Sequence, residues 1–503
     1  MNKNRTFLVL ASMACITIQM QAQEKPNILF MLIDDIGYGD LGCHGNPIVK
    51  TPNIDQLCHD SFQFENFCVS PTSAPTRCAL MTGKNEMKSN VTHTRPGRNN
   101  MELNALTIAE ILKTAGYTTG IFGKWHLGET ETHNPIHQGF DKVVGILNDN
   151  QHSHYDPLLQ HNGITIKHKG YRTNILFNEA MDFIKQNKNK PFFCYLPTFS
   201  AHVPHVVPHK YAAPYEKIKG APASYYGMIA NVDENIGRML RFLKENGLEK
   251  NTLVIFMNDN GTTAADVYNA GMRGRKGLPW LGGIRASSFW KWPKGIKPAI
   301  CDRLTAHVDV YPTLAEIGGA TIPTKIKNDL EGISLTRYFN NPIAEEPIDR
   351  MIVHHKTRWL PSANYPEHKY AGCCVRWQDY TLVRTDYCNH HACLDCAGLN
   401  YNAIHHGKDS YGINHYKNLP KGKWGLYNVK YDRSQTKDLS DLHPEIVEKM
   451  STYYNKWWKD VENRLDKYYA NPTIKAEWDK CDKETPNTEP YKKKARSKFL
   501  RRK

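Results

Sequence analysis

Four short strand-like runs, three of them almost continuously apolar, constrain this chain more than any other feature. They occupy residues 28–33, 117–122, 191–196 and 252–257. None alternates polar with apolar, so each reads as a strand covered on both faces, the mark of a buried parallel sheet. Helical periodicity fills the intervals. Residues 105–115 carry a broad apolar face ended by Gly116, and residues 174–187 form a second helix. Tyr225, Met228, Ile229, Val232, Ile236, Met239, Leu240 and Leu243 line one face of a longer helix that Gly247 ends. Strands alternating with helices predict an α/β fold with a mostly parallel central sheet flanked by helices. The chain has 503 residues, enough for one large domain and a smaller one. Past residue 346 the texture changes to short strands, at 351–355 and within 374–385, and an amphipathic helix at 443–459. The expected organisation is a leader at 1–22, a large domain at 23–345, a C-terminal α+β subdomain with a small antiparallel sheet at 346–490, and a basic tail at 491–503.

Each apolar run ends on polar residues: Asp34-Asp35, then Lys124 and His126, then His202, then Asp259-Asn260. Ligands of open α/β sheets bind at the carboxyl ends of strands, so these groups are expected to converge. Adjacent carboxylates behind a buried strand need a compensating cation. Asp34, Asp35, Asp259 and Asn260 offer only oxygen, which selects calcium or magnesium over zinc. Lys124, His126, His202 and Lys276 add positive charge and proton-transfer groups. Such a set suits transfer of an anionic tetrahedral group. The stretch Ser73-Ala74-Pro75-Thr76-Arg77, closing at Thr82-Gly83, places a hydroxyl at a helix start with an arginine one turn deeper on the same face. That guanidinium can grip a tetrahedral oxyanion beside the hydroxyl. In isolation the string reads as a helix-capping serine with a surface arginine. The strand-end groups supply the context that changes this reading.

The net charge of +15 points to anionic partners, although eight of the Lys and Arg residues lie in the tail at 492–503. Lys3 and Arg5 precede an apolar stretch at 7–18, and Ala22-Gln23 offers a cleavage point. The stretch is too short to span a membrane, and no later window does so. The expectation is an exported protein, periplasmic in a Gram-negative bacterium; cleavage before Cys15 to leave a lipoprotein is the competing reading. Twelve cysteines follow the leader, and their pairing is not readable from spacing. Cys388, Cys393 and Cys396, with His390 and His391 among them, read as a disulfide-tied or reduced loop in preference to a zinc knot. Residues 129–171 read as a polar loop carrying His133, His137, His152, His154 and His161. Insertions of this kind tend to bind ligands.

The motifs together resemble the type I, formylglycine-dependent sulfatases of the alkaline phosphatase-like superfamily, in their bacterial serine form. The resemblance rests on Ser73-Ala74-Pro75-Thr76-Arg77 with Thr82-Gly83, Gly123-Lys124-Trp125-His126-Leu127-Gly128, the paired aspartates, Asp259-Asn260-Gly261, the Arg273-to-Lys276 stretch, and Tyr225-Tyr226 with Val232-Asp233-Glu234. It implies a calcium ion held by Asp34, Asp35, Asp259, Asn260 and residue 73. It implies oxidation of Ser73 to formylglycine (3-oxoalanine) by a radical maturating enzyme acting before export. Arg77, Lys124 and Lys276 would neutralise the sulfate, His202 would protonate the leaving alcohol with Lys276 assisting, and His126 would deprotonate the second hydroxyl. The implied substrate is a sulfated glycan, cut from its end at sulfated galactose, N-acetylgalactosamine or N-acetylglucosamine, with no nucleic-acid partner and no membrane span. His152, His154 and the segment 354–358, His355 included, are the expected sugar contacts. Ser200-Ala201-His202 replaces the common Ala-Pro-His, Leu281 stands where a glutamate is usual, and Ala286-Ser287 replaces Val-Pro. Two rivals stay open: a two-zinc phosphatase or phosphodiesterase of the same superfamily, and a non-catalytic sulfated-glycan-binding protein with Ser73 unmodified.

Overall fold

Strand β1 (Asn27–Ile33) is buried along its whole length. It pairs in parallel with β8 (Phe192–Pro197) on one side and β9 (Thr252–Asn258) on the other. Beyond β8 lie β4 (Thr118–Lys124) and β5 (Lys142–Ile146), also parallel. These coordinates, a computed structural model, describe residues 25–146, 153–264, 267–342, 348–359, 362–386 and 422–484. The four apolar runs thus form the centre of a ten-stranded sheet. On one side β10 (Ser288–Lys291), β2 (Phe62–Phe64) and β11 (Ala299–Cys301) extend it. On the other, β5 is followed by the antiparallel hairpin of β6 (Leu158–His161) and β7 (Ile164–Lys167). Residues 129–171 are therefore not a loop throughout. Their strands are four or five residues long, too short to show a period.

The principal helices are α1 (Pro52–His59), α2 (Ser73–Thr82), α3 (Ile108–Thr114), α4 (Arg172–Gln186), α5 (Ala223–Glu245) and α6 (Val310–Ile317). Alternate residues of β1 point into two cores. Ile28, Phe30 and Leu32 pack with residues of α2, α3 and α6; Leu29, Met31 and Ile33 pack with residues of α1, α4 and α5. Both faces are covered, which is why the run is apolar without alternation. Helix α3 starts later than its apolar spacing suggests. Thr107 Oγ1 accepts from Glu110 N while Glu110 accepts from Thr107 N, a capping box that fixes the start. Gly123 in β4 has φ 141°, and a Cβ there would lie 1.8 Å from the Pro197 carbonyl oxygen. Only glycine allows β4 to close on β8.

A pair of two-residue strands, β3 (Phe67–Cys68) and β12 (Thr305–Ala306), links the main sheet to the C-terminal region. There β13 (Met351–His355), β14 (Ala371–Trp377), β15 (Tyr380–Thr385) and β16 (Gly425–Asn428) form an antiparallel sheet in that order. Helix α7 (Pro444–Ala470) covers it with Tyr454, Trp458, Val461 and Leu465. It runs well past residue 459 because Leu465 continues the buried face. Helix α8 (Pro472–Glu484) follows, which the sequence pattern does not show. Cys43, Cys58, Cys68, Cys78, Cys194, Cys301, Cys373 and Cys374 are free thiols. No described helix is long and apolar enough to cross a membrane.

Candidate active site

The strand ends converge. Asp34 N donates to the Ser200 carbonyl over 3.1 Å, Ala201 N donates back to the Asp34 carbonyl, and Asp259 N donates to the Ile33 carbonyl over 3.1 Å. These bonds lock the segments after β1, β8 and β9 side by side. Asp35 has φ 59°, a left-handed turn that follows Asp34 directly. Its N–H donates to Asp259 Oδ1 over 3.1 Å, and its Oδ1 accepts from Asn260 Nδ2 over 2.9 Å and from Lys276 Nζ over 2.5 Å. A Cβ on Gly261 would sit 2.0 Å from the Gly282 carbonyl oxygen, so the turn after Asn260 admits no side chain. The Lys276 loop is held by its own N–H on the Thr262 carbonyl and by Gly277 N on the Pro71 carbonyl. The C-terminal region braces the same loop: Arg273 donates to the Gln435 carbonyl, and Leu281 N donates to Gln435 Oε1. Leu281 thus serves through its backbone.

Ser73 opens α2, every residue of which is buried. Arg77, one turn along, spends its guanidinium on four groups. It donates to Ser73 Oγ over 2.9 Å, to the Lys124 carbonyl over 3.1 Å and to Asp259 Oδ2 over 3.1 Å, and lies 3.7 Å from Asp34 Oδ1. Ser73 Oγ donates to Asp34 Oδ1 over 3.4 Å, and Lys124 Nζ bonds Asp34 Oδ2 over 2.9 Å. His202 Nδ1 donates to the Val203 carbonyl, which turns Nε2 toward Asp35 Oδ2, 3.8 Å away. His126 Nε2 donates to the Thr94 carbonyl over 2.9 Å. This sets the tautomer in which Nδ1 carries the lone pair. Asp34, Asp35, Asp259 and Asn260 are wholly buried, whereas the side chains of Lys276 and His202 are 13% and 21% exposed and mark the mouth.

The electrostatics point to an absent cation. Burial works against ionisation of Asp34, but Lys124 and then Arg77 hold its carboxyl well below the usual range. Asp259 goes the other way: burial, then the Asp34 charge, push it up to about 7 despite Arg77. Asp35 Oδ2 and Asn260 Oδ1 are buried and accept no hydrogen bond. Carboxylate oxygens of Asp34, Asp35 and Asp259 lie within 4.8 Å of one another. Crowded anions, orphaned oxygens and an all-oxygen donor set fit calcium or magnesium at this point.

Other expected contacts fall elsewhere. His355 is corrected: it is wholly buried, its Nε2 bonds the His368 carbonyl, its Nδ1 accepts from Thr357 N, and its ring packs on Trp458. It belongs to the core of the C-terminal region because β13 turns it inward toward α7. His154 is also enclosed, stacked on Tyr171, and does not reach a surface pocket. His152 and the Cys388–Cys393–Cys396 cluster lie outside the described residues. Within 354–358 it is Arg358 that reaches outward, its guanidinium donating to Thr94 Oγ1 over 3.2 Å. Thr94 therefore joins Arg358 to His126. His93 beside it is held well below the ordinary histidine range by burial, then by Arg98, Arg358, Arg95 and Lys356. Sequence reasoning missed these cations; the Arg95-Pro96-Gly97-Arg98 turn was their visible signal, although Arg98 is buried against Trp359. Ser70 bonds Glu86 and His307 and anchors the chain ahead of α2.

Fold and site define an alkaline phosphatase-like hydrolase centre for a tetrahedral anion. The sulfatase family profile matches residues 26–320, and the chain belongs to the sulfatases, a family of sulfuric ester hydrolases. It is 29% identical over 344 residues to arylsulfatase A of Homo sapiens, spanning 59% of this chain and 65% of that one, so just under two thirds of that relative is represented. It is 29% identical to arylsulfatase J of Mus musculus over 455 residues, 85% of this chain and 74% of that one. The crystal structure of Ps i-CgsB superposes with a TM-score of 0.73 at 28% identity, covering 86% of this chain and 93% of that one. The same protein in complex with k-i-k-neocarrahexaose gives 0.72 at 27%, with coverage of 92% and 98%.

Proposed function

We propose that this protein hydrolyses sulfate esters of carbohydrates, acting on terminal sulfated sugars after Ser73 has been oxidised to formylglycine, with one calcium ion held by Asp34, Asp35, Asp259, Asn260 and residue 73. The observation that carries the reading is the pairing of three wholly buried aspartates with Arg77, Lys124 and Lys276 around a single hydroxyl position. Bound there, the ion would polarise a sulfate oxygen and acidify the aldehyde hydrate that serves as nucleophile. Arg77, Lys124 and Lys276 hold the sulfate oxygens and neutralise charge as it moves to the leaving group. His202 stands at the mouth with Nε2 inward and donates a proton to the departing alcohol. His126 accepts a proton at Nδ1, releasing sulfate and restoring the aldehyde.

Arg358, partly exposed and bonded to Thr94, whose carbonyl holds His126, supports a glycan carrying more than one anionic group. Ps i-CgsB, crystallised with k-i-k-neocarrahexaose, supports a carbohydrate substrate. A panel of regiospecifically sulfated galactose, N-acetylgalactosamine and N-acetylglucosamine, with released sulfate quantified by ion chromatography, tests the substrate. Peptide mass across Ser73 from the native host tests the nucleophile: the expected peptide has lost two hydrogens. An active enzyme with an unmodified Ser73 peptide, or one releasing phosphate faster than sulfate, sinks the proposal. Glycan binding without sulfate release from a fully matured protein leaves the binding-protein rival standing instead.

A further inference from the structure

The outer hairpin of the main sheet carries a second cluster of ligating groups, apart from the strand ends that hold Ser73. In the register of β6 and β7, His161 opposes Ile164, Leu159 opposes Ile166, and His168 N continues the ladder to the Pro157 carbonyl. Residues 157, 159, 161 and 168 therefore share one face of the hairpin. Leu159 is wholly buried in the core that α4 lines with Leu176 and Phe183, so that face is turned toward α4. His161 and His168 lie side by side, ring centroids 5.0 Å apart and planes 12° apart, with Nε2 to Nε2 at 2.8 Å. Glu179 of α4 completes the group: one ligand atom from each of the three residues falls within 4.8 Å of the others, and all three are partly buried.

We propose that His161, His168 and Glu179 form a binding site for a zinc-class divalent ion that clips the β6–β7 hairpin to α4. Two imidazole nitrogens and one carboxylate oxygen make a borderline donor set, which selects zinc over calcium or magnesium. A tetrahedral ion with bonds of about 2.0–2.1 Å sets two ligand nitrogens about 3.3 Å apart, so the rings need to open by only about half an ångström. The three protein ligands leave one position for water. The site differs in kind from the aspartate cluster, whose donors are all oxygen, so the two would take different metals from the same solution. Its position also serves the sheet: β7 is an exposed edge strand, and fastening its hairpin to a helix restrains an edge open to other strands.

The test uses the full-length exported protein, stripped with chelator and held in saturating calcium so that the oxygen site is filled. Zinc is titrated against a chromophoric competitor, and cobalt is added separately to read its visible spectrum. The expected result is one tight equivalent of zinc, intense tetrahedral cobalt bands and a raised thermal midpoint. His161→Ala/His168→Ala should lose that equivalent. Glu179→Gln, a conservative change on a partly exposed helix position, should weaken binding by at least ~100-fold, since losing even an indirect support of a ligand costs 10–100-fold. Sulfate release is expected to stay unchanged in these variants. Weak, superstoichiometric uptake overturns the proposal, as does tight uptake that survives the double histidine change. Uptake that falls only in Cys388→Ser assigns the metal to the cysteine cluster and overturns it too. If the double variant fails to fold, Glu179→Gln alone decides through the zinc-dependent shift in midpoint.

Discussion

Replacing Arg77 with Met tests whether the site is built from mutually dependent charges. The side chain is 1% exposed, and its guanidinium faces Asp34, Asp259, the Lys124 carbonyl and Ser73 Oγ. Methionine keeps most of the volume and removes the charge and donors. Among the described residues it removes the ion-pair partner of Asp259 and leaves Asp34 paired with Lys124. Breaking a buried ion pair from one side costs about 3–5 kcal/mol. Unfolding entropy of about 2.1 cal/mol/K per residue, over 503 residues, gives roughly 1 kcal/mol per degree. The thermal midpoint in calcium-free buffer should therefore fall by about 3–5 °C. Sulfate release should fall by about 10²–10³, the usual effect of losing one donor to a developing oxyanion. Arg77→Lys keeps a charge but loses the fork, and should recover stability more than activity. Scanning fluorimetry and ion chromatography read the two effects. A midpoint within a degree of the parent, or activity within threefold, would refute the reasoning, because the aspartates would then be compensated by something other than this guanidinium.

Acidification should destabilise the fold through buried neutral histidines. Burial takes His44 and His307 down to about 3. Their stabilising contribution is complete above the unfolded pKa near 6.5 and is lost as pH falls from there toward 3, so each costs about 2 kcal/mol by pH 5. His307→Gln should flatten the fall in midpoint between pH 7 and 5 by about 2 °C; an unchanged slope argues against it. His202→Ala should slow release from sugar sulfates by about 10²–10⁴ while sparing nitrophenyl sulfate, whose leaving group needs no proton. Equal losses on both substrates would remove His202 from the role of acid. Gly123→Ala should give misfolded protein, since the added Cβ would lie 1.8 Å from the Pro197 oxygen. A soluble variant with an unshifted midpoint would contradict that packing.

How much of this was legible in the sequence depended on burial and distance. The central strands were visible because both faces of β1, β4, β8 and β9 are covered, so their composition carries the signal unaided. The outer strands β2, β10 and β11 were not, because three or four residues show no period and β2 meets β10 and β11 from more than 200 positions away. Asp34, Asp35, Lys124, His202 and Asp259 were legible as strand-end residues in an otherwise apolar context. Arg358 and Thr94 were not, since their meeting depends on how the C-terminal region lies against the loop after the short turn at Glu86–Ser89, a matter of tertiary packing. His355 misled for the same reason: a histidine at the end of a short strand can face either way, and this one lies wholly buried.

The position of residue 73 follows from this division of labour. The strands supply anions and cations that need each other to stay buried, and each member comes from a different segment, so no segment could hold the charge set alone. A hydroxyl on one of those strands would compete for the same hydrogen bonds. On the first turn of α2 it instead meets the helix's unpaired N–H groups and positive dipole end, which favour an anion beside it. Arg77 rises one turn behind to bond Ser73 Oγ, and Thr76 Oγ1 ties the turn to the Ser70 carbonyl. Ser70 is itself held by Glu86 and His307. The nucleophile position is therefore fixed from behind by a buried helix and faced by the strand-end charges. Lys276 and His202 stay partly exposed and mark a side from which a tetrahedral anion can reach it.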